Sequence, residues 1–205
     1  MRPESHVPSG PPARFSTPDG GLLRVFDRTL LMGPPGAGKS TLAATLGRHL
    51  GIDVVHLDQH YYLPGWAPRE VNSWRSIQAA LVARDRWVVD GNYVSTVDVR
   101  LEAASCVVIV DLLPLLCATR VLRRRLRHLG RPQPFMADGC PERLDRRTVQ
   151  LLGYTLAYRS TMLPRVLAAI RRQGRADLPV VHLRSTADVG VLVDAVHRSA
   201  RSLDP

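Results

Sequence analysis

The chain is predicted to fold as an α/β protein, with helices layered on a parallel sheet. Two observations lead there. Short β-rich runs alternate with runs of helical period along most of the sequence. The first of those runs leads into Gly33-Pro34-Pro35-Gly36-Ala37-Gly38-Lys39-Ser40-Thr41, a glycine-rich turn of a type that needs a strand before it and a helix after it. A length of 205 residues suits one domain with a sizeable core and is too short for two large ones.

Residues 1–21 hold five prolines and three glycines and no apolar segment, so they read as a disordered leader, not a signal peptide. The folded domain is expected over 22–205. Arg28 to Met32 reads as the first strand, and Ser40 to Leu50 as a helix with Leu42, Leu46 and Leu50 on its inner side and Gly51 as its stop. Asp53 to Asp58 reads as a strand ending in a carboxylate, and 59–69 as loop. Asn72 or Ser73 caps a helix reaching about Arg84, with Trp74, Ile77, Leu81 and Gln78 facing inward.

Arg86 to Asp90 is a third strand. Cys106 to Asp111 is a fourth, apolar throughout until its last residue, as a strand covered on both faces would be. A helix follows from Leu115 to about Leu129, with Gly130 as its stop. Pro132, Pro134, Gly139 and Pro141 exclude helix from 130–141, a lid-like segment. Helix resumes from Glu142 to about Gln173, kinked or broken before Pro164. Val180 to Leu183 is the last strand and Ala187 to Ala200 the last helix.

The chemistry begins at the glycine-rich turn, which fits G-x-x-x-x-G-K-[ST], the phosphate-binding P-loop. Lys39 is the only lysine in the chain and fills the slot where a compact ammonium meets the β- and γ-phosphates. The loop from Gly33 to Thr41 offers inward amides, helped by Gly36, Gly38 and a helix N-terminus, to the tail of ATP. Ser40 is the expected Mg²⁺ ligand. Asp111, closing an apolar strand, is a candidate second magnesium group, or else a turn residue. Asp58 and Asp90 sit at strand ends, where ligands gather in parallel sheets. Either could orient an acceptor hydroxyl and take its proton; Asp58 is favoured because its strand adjoins the P-loop.

The formal charge of +10 concentrates locally. Nine arginines fall between Arg120 and Arg147, against Asp138, Glu142 and Asp145. Arg120, Arg124 and Arg127 share one helical face, with Arg123 beside them, and a like-charged stripe calls for an anionic partner. Bound polyphosphate is the simplest one, and Arg124 and Arg127 could stabilise charge on a transferring phosphoryl group. The alternative, ranked behind it, is a nucleotide-binding regulator or slow ATPase that contacts nucleic acid through this arginine-rich face. Arg131 and Arg143 flank the lid segment. No apolar run reaches the length of a transmembrane helix. Cys106, Cys117 and Cys140 lack metal spacing and read as thiols of a reducing cytoplasm. The run leading into His56 and His60 is a strand, which argues against a zinc pair. No exposed apolar stripe stands out, so the oligomeric state is not readable.

Taken with His56-Leu57-Asp58, Tyr61-Tyr62, Pro64-Gly65-Trp66, Val89-Asp90-Gly91-Asn92-Tyr93 and Gly139-Cys140-Pro141-Glu142-Arg143, the chain resembles the adenylate-kinase-like nucleotide kinases among P-loop proteins. Within that branch it looks most like the small bacterial proteins labelled DNA topology modulation proteins, over roughly residues 28–200. The resemblance implies a three-layer P-loop NTPase fold, with a five-stranded parallel sheet, helices on both faces and a small lid. It implies ATP and Mg²⁺ as cofactors and a small-molecule acceptor. It also implies that Arg120 packs on adenine, that Arg124 grips phosphates, and that Arg184 and Ser185, with Thr186, line the base. Two features of adenylate kinases are missing: the arginine after Asp-Gly-Phe-Pro, and Thr-Gly-Asp with its following arginine. The resemblance therefore does not extend to AMP as acceptor. Tyr61, Tyr62, Trp66, Arg69 and Arg100 are candidates for a different acceptor pocket.

Overall fold

The computed structural model describes residues 21–131, 133–173, 175 and 177–202. The expected leader, apart from Gly21, lies outside them, as does Pro132 of the lid segment. A short helix α1 (Gly21–Val25) leads into strand β1 (Arg28–Met32) and, past the glycine-rich turn, helix α2 (Lys39–Leu50). Strand β2 (Val54–His56) passes directly into a single helical turn, α3 (Leu57–Tyr61). A small hairpin follows, β3 (Tyr62–Leu63) against β4 (Ala67–Pro68), then α4 (Val71–Val82) and strand β5 (Trp87–Asp90). The rest comprises α5 (Val97–Ala103), β6 (Cys106–Val110), α6 (Pro114–Arg127), α7 (Arg146–Arg172), β7 (Val180–Leu183) and α8 (Thr186–Arg201).

The five long strands are all parallel, in the order β2-β5-β1-β6-β7. Successive side chains leave a strand on opposite faces, and this alternation builds two cores. Leu30, Met32, Val89, Val107 and Ile109 face Trp74, Leu101, Tyr158 and Val166 of α4, α5 and α7. Leu31, Val88, Val108 and Val110 face Leu42, Leu46, Leu192 and Val196 of α2 and α8. The result is the expected three-layer α/β architecture. With β1 central, the carboxyl ends of β2, β5 and β1 open side by side, where parallel sheets bind ligands.

Several boundaries differ from the sequence reading. The second strand stops at His56, so Asp58 rides on α3 instead of ending a strand. Glu70, not Asn72 or Ser73, caps α4, accepting from the Ser73 amide at 2.9 Å. The long helix starts at Arg146, capped by Asp145, and runs through Pro164 as one helix, its lost hydrogen bond tolerated within 27 residues. An exposed apolar stripe does exist: Leu115, Leu122 and Leu126 follow one another at helical spacing on α6.

The segment between α6 and α7 supplies Gln133, Pro134, Phe135 and Met136 to the lining of a cavity. Its base is closed by Gly130 N to Glu142 O (2.9 Å) and Glu142 N to Arg131 O (3.0 Å). Beneath lies buried Arg125, which donates to Arg143 O at 2.9 Å and sits 3.1 Å from Glu142 Oε2, an ion pair without hydrogen-bond alignment. The β3–β4 hairpin is stitched to the same segment: Gly65 N donates to Gly139 O (2.9 Å), Trp66 Nε1 to Pro141 O (3.0 Å), and Cys140 Sγ to Leu63 O (3.3 Å). Gly139 has φ 71°, and a Cβ there would stand 2.9 Å from Pro64 Cβ. The hairpin and this segment are thus bonded at three points.

Candidate active site

The P-loop is shaped by what a side chain would strike. A Cβ on Gly36 (φ 78°) would come within 2.2 Å of Cys117 O, so the loop lies flat against α6. Its start is clamped by Asn92, whose Nδ2 donates to Gly33 O (2.8 Å) while its Oδ1 accepts from Gly33 N (3.0 Å). Helix α2 begins at Lys39 with no side-chain cap on its first amides, leaving those donors for an anion. Lys39 Nζ donates to Pro34 O at 3.0 Å. Burial pushes its pKa down, against the pull of nearby Asp90 and Asp58.

Two carboxylates face this loop in different surroundings. Asp90 Oδ2 accepts from Ser40 Oγ (2.5 Å) and lies 3.2 Å from His56 Nδ1. Burial pushes Asp90 upward, but His56, Lys39 and Ser40 outweigh it and hold the group below the usual carboxylate range. Asp58 accepts from the Tyr93 hydroxyl at 2.6 Å. Burial dominates there, and with the neighbouring Asp90 charge it raises the Asp58 pKa despite that bond. Two acids pushed apart in this way are suited to different tasks: one stays anionic, the other can trade a proton. Tyr93 reaches Asp58 from a left-handed backbone (φ 35°) just after β5.

These groups share one cavity of about 670 Å³. Pro35, Gly36, Gly38, Lys39, Ser40 and Thr41 line its floor, and Gly33, Pro34 and Ala37 form the rest of the loop. Arg120, Arg124 and Arg127 of α6 line one side; Arg123 does not. Among the described residues none of the three lining arginines is in an ion pair. His128, at the end of α6, and Gln133, Pro134, Phe135 and Met136 of the segment after it also line the cavity. Phe135 stacks at 4.1 Å on His56, the partner of Asp90.

Other expected site residues lie elsewhere. Asp111 does not face Ser40: its carboxylate accepts from Arg159 Nε (3.0 Å) and lies 3.2 Å from His182 Nε2, because β6 carries its end toward α7 and β7. Arg100 is fully buried and donates to the carbonyls of Gly91 (2.8 Å), Asn92 (2.7 Å) and Tyr93 (2.9 Å), propping the turn from behind. Tyr61 packs among Tyr62, Trp74 and Tyr93, and Trp66 belongs to the lid stitch; neither lines the cavity, though Tyr62 does. Ser185 is used as the cap of α8, accepting from Asp188 N (3.1 Å), and exposed Arg184 also lies outside the lining. Sequence reading gave no role to Asn92, Tyr93, Phe135, Leu151, Tyr154 and Met162 among the lining residues, and weighed His56 only as half of a zinc pair. Asn92 sat inside a quoted motif without a role; the α7 residues gave no signal beyond helical period.

The oxygen donors fit a hard cation. Ser40 and a carboxylate kept ionised beside it are the ligand types Mg²⁺ takes, with waters and phosphate oxygens completing its shell. Among the described residues no cluster of three or more His, Cys, Asp or Glu forms an all-protein metal cage.

No family model and no curated protein sequence matches the chain. Solved structures do. A shikimate kinase from Acinetobacter baumannii in complex with shikimate superposes with a TM-score of 0.51 at 17% identity, over 88% of this chain and 97% of that one. A gluconokinase from Sinorhizobium meliloti gives 0.48 at 17%, over 87% and 94%. A deoxyadenosine kinase from M. mycoides with dCMP and dCDP gives 0.42 at 13%, over 85% and 98%. At these identities the likeness speaks for the fold alone, and the shikimate kinase match carries it: the chain shares that protein's α/β fold.

Proposed function

We propose that the chain is an ATP-dependent phosphotransferase of nucleotide-kinase type that moves the γ-phosphoryl group to a hydroxyl of a small acceptor. One observation carries this reading: Lys39, the Ser40–Asp90 pair and Asp58, bonded by Tyr93, line one cavity with three arginines of α6. The fold, shared with a shikimate kinase, is consistent with it.

The loop amides and Lys39 bind the β- and γ-phosphates, and Arg120 lies toward the nucleotide. Ser40 and Asp90 would hold Mg²⁺, which would supply charge neutralisation on the phosphate oxygens when bound. Asp58 accepts a hydrogen bond from the acceptor hydroxyl and takes its proton as the new O–Pγ bond forms. The bond from Pγ to the β–γ bridging oxygen breaks, and its electron pair leaves with ADP. Arg124 and Arg127 stabilise charge on the moving phosphoryl group. The lid excludes water, which limits hydrolysis in place of transfer.

Three arginines turned into the cavity favour bound polyphosphate over a nucleic-acid strand on the outer surface. Calorimetry with ATP and Mg²⁺ on the wild type and Lys39→Ala tests the reading. Binding in the wild type that the variant loses, with unchanged circular dichroism, is expected; equal phosphoryl transfer by both would sink it.

A further inference from the structure

Glu142 is a fully buried acid, and its own backbone pins it in place. Its amide donates to Arg131 O (3.0 Å) and its carbonyl accepts from Gly130 N (2.9 Å), which lays residue 142 alongside Leu129 at the end of α6. The Glu142 Oε2 atom lies 3.1 Å from Arg125, yet the hydrogen bonds of that guanidinium go to Arg143 O (2.9 Å) and Thr148 Oγ1 (3.2 Å). Among the described residues neither carboxylate oxygen of Glu142 has a hydrogen-bond partner. Burying a carboxylate in this way is costly, and an apolar pair of similar volume would serve the fold as well or better. Arg125 alone therefore gives no reason for the charge.

Arg124 gives one. It lines the cavity with Lys39, Ser40 and Asp58, and its Nε is buried and, among the described residues, also without a partner. Burial pushes the Arg124 pKa down; of the charges that act on it, Glu142 opposes that shift most, ahead of Asp58 and Asp90. Burial in turn raises the Glu142 pKa, against the pull of Arg125, Arg124 and His128, while Asp145 adds to the rise. A carboxylate with lone pairs to spare thus acts on a guanidinium with a donor to spare. Arginine is long and flexible, and a fixed counter-ion spares the site the cost of ordering it at each turnover.

We propose that Glu142 is a positioning residue for phosphoryl transfer, holding the Arg124 guanidinium in the cavity wall from the base of the segment between α6 and α7. This deepens the phosphotransferase reading and rests on it. The experiment follows phosphate release from radiolabelled ATP with Mg²⁺, water being the acceptor, by the full-length wild type and Glu142→Gln, with circular dichroism melts beside it. Glu142→Gln keeps the shape and removes the charge. Its kcat is expected to fall roughly 10- to 100-fold, with KM for ATP within about twofold of wild type. The double variant Glu142→Gln, Arg125→Met separates a purely structural role, because neither member of the buried pair is then left charged and alone. Its kcat should stay as low as that of Glu142→Gln. A return to the wild-type rate overturns the proposal, since the loss then came from the stranded Arg125. An unchanged kcat in Glu142→Gln overturns it as well. Should Glu142→Gln fail to fold, the double variant carries the same comparison with wild type. A wild type that neither binds ATP in calorimetry nor releases phosphate would instead bring down the phosphotransferase reading.

Discussion

Ser40 Oγ donates to Asp90 Oδ2 at 2.5 Å, tying the first turn of α2 to the end of β5. The strand order sets this contact, since β5 lies directly beside β1 and Leu31 is in register with Asp90. The acid facing the P-loop hydroxyl therefore comes from the β5 side of the central strand. Asp90→Asn should keep the bond to Ser40 but remove the charge that supports Mg²⁺. The Mg²⁺ concentration for half-maximal turnover is expected to rise roughly 10- to 100-fold, with little change in ATP binding measured without metal. Chelation of Mg²⁺ should abolish turnover in both proteins. An unchanged Mg²⁺ titration would remove Asp90 from metal binding.

Asp58 carries the opposite imbalance. Its pKa is raised in the folded state, mainly by burial, so it costs stability as the pH climbs from the unfolded value near 3.9 to the folded one, and the full cost applies above that. Asp58→Asn keeps an acceptor for the Tyr93 hydroxyl and removes the charge. The variant should melt higher than wild type near pH 8, by roughly 2–4 °C for each kcal/mol relieved. That advantage shrinks as the pH falls through the folded pKa, where the wild-type group protonates. Phosphoryl transfer should drop about 10²- to 10⁴-fold in the same variant. Melting curves across pH, together with turnover, separate a catalytic acid from a structural one, which would lose stability instead.

Arg124 and Arg100 look alike in sequence and should fail differently. Arg124→Ala removes a guanidinium that lines the cavity, so kcat is expected to fall on the order of 10³-fold or more, with Tm nearly unchanged. Arg100→Met strands three backbone carbonyls in the interior at about 1–3 kcal/mol each, and the protein should melt early or fail to accumulate. Even alone in the interior, with its pKa pushed down to about 9 by burial, Arg100 stays cationic at neutral pH. Thermal melts of both variants beside kinetics of Arg124→Ala check the contrast. A specific KM effect without destabilisation in Arg100→Met would return it to the acceptor pocket.

Much of this was legible in the chain because local rules fixed it. Gly36, Gly38 and Lys39 specify their own loop, and the spacing of Arg120, Arg124 and Arg127 puts them on one face whatever lies opposite. The choice between Asp90 and Asp111 turns on which strands become neighbours, which no local pattern encodes. Asp90 and Asp111 each end an apolar strand, and only the order β2-β5-β1-β6-β7 decides which one meets Ser40. Arg100 sits on the inner side of α5, where its burial depends on the turn at 91–93 folding over it. Tyr154 and Met162 were invisible as site residues because α7 enters the cavity from a distant part of the chain.

Asp111 offers the sharpest check on that assignment. Its carboxylate bonds Arg159 and His182, joining the ends of β6 and β7 to α7. Burial pushes its pKa up, but those bonds outweigh it, so the folded-state value is depressed. A depressed acid stabilises the fold above its unfolded value near 3.9, and that contribution disappears as the pH falls through the folded value. Asp111→Asn should therefore cost about 1–3 kcal/mol at pH 7, visible as a lower Tm. The gap to wild type should close below roughly pH 4. The Mg²⁺ titration that moves in Asp90→Asn should stay where it is in Asp111→Asn. A shift of that titration, with Tm preserved, would restore Asp111 as the metal acid and displace Asp90.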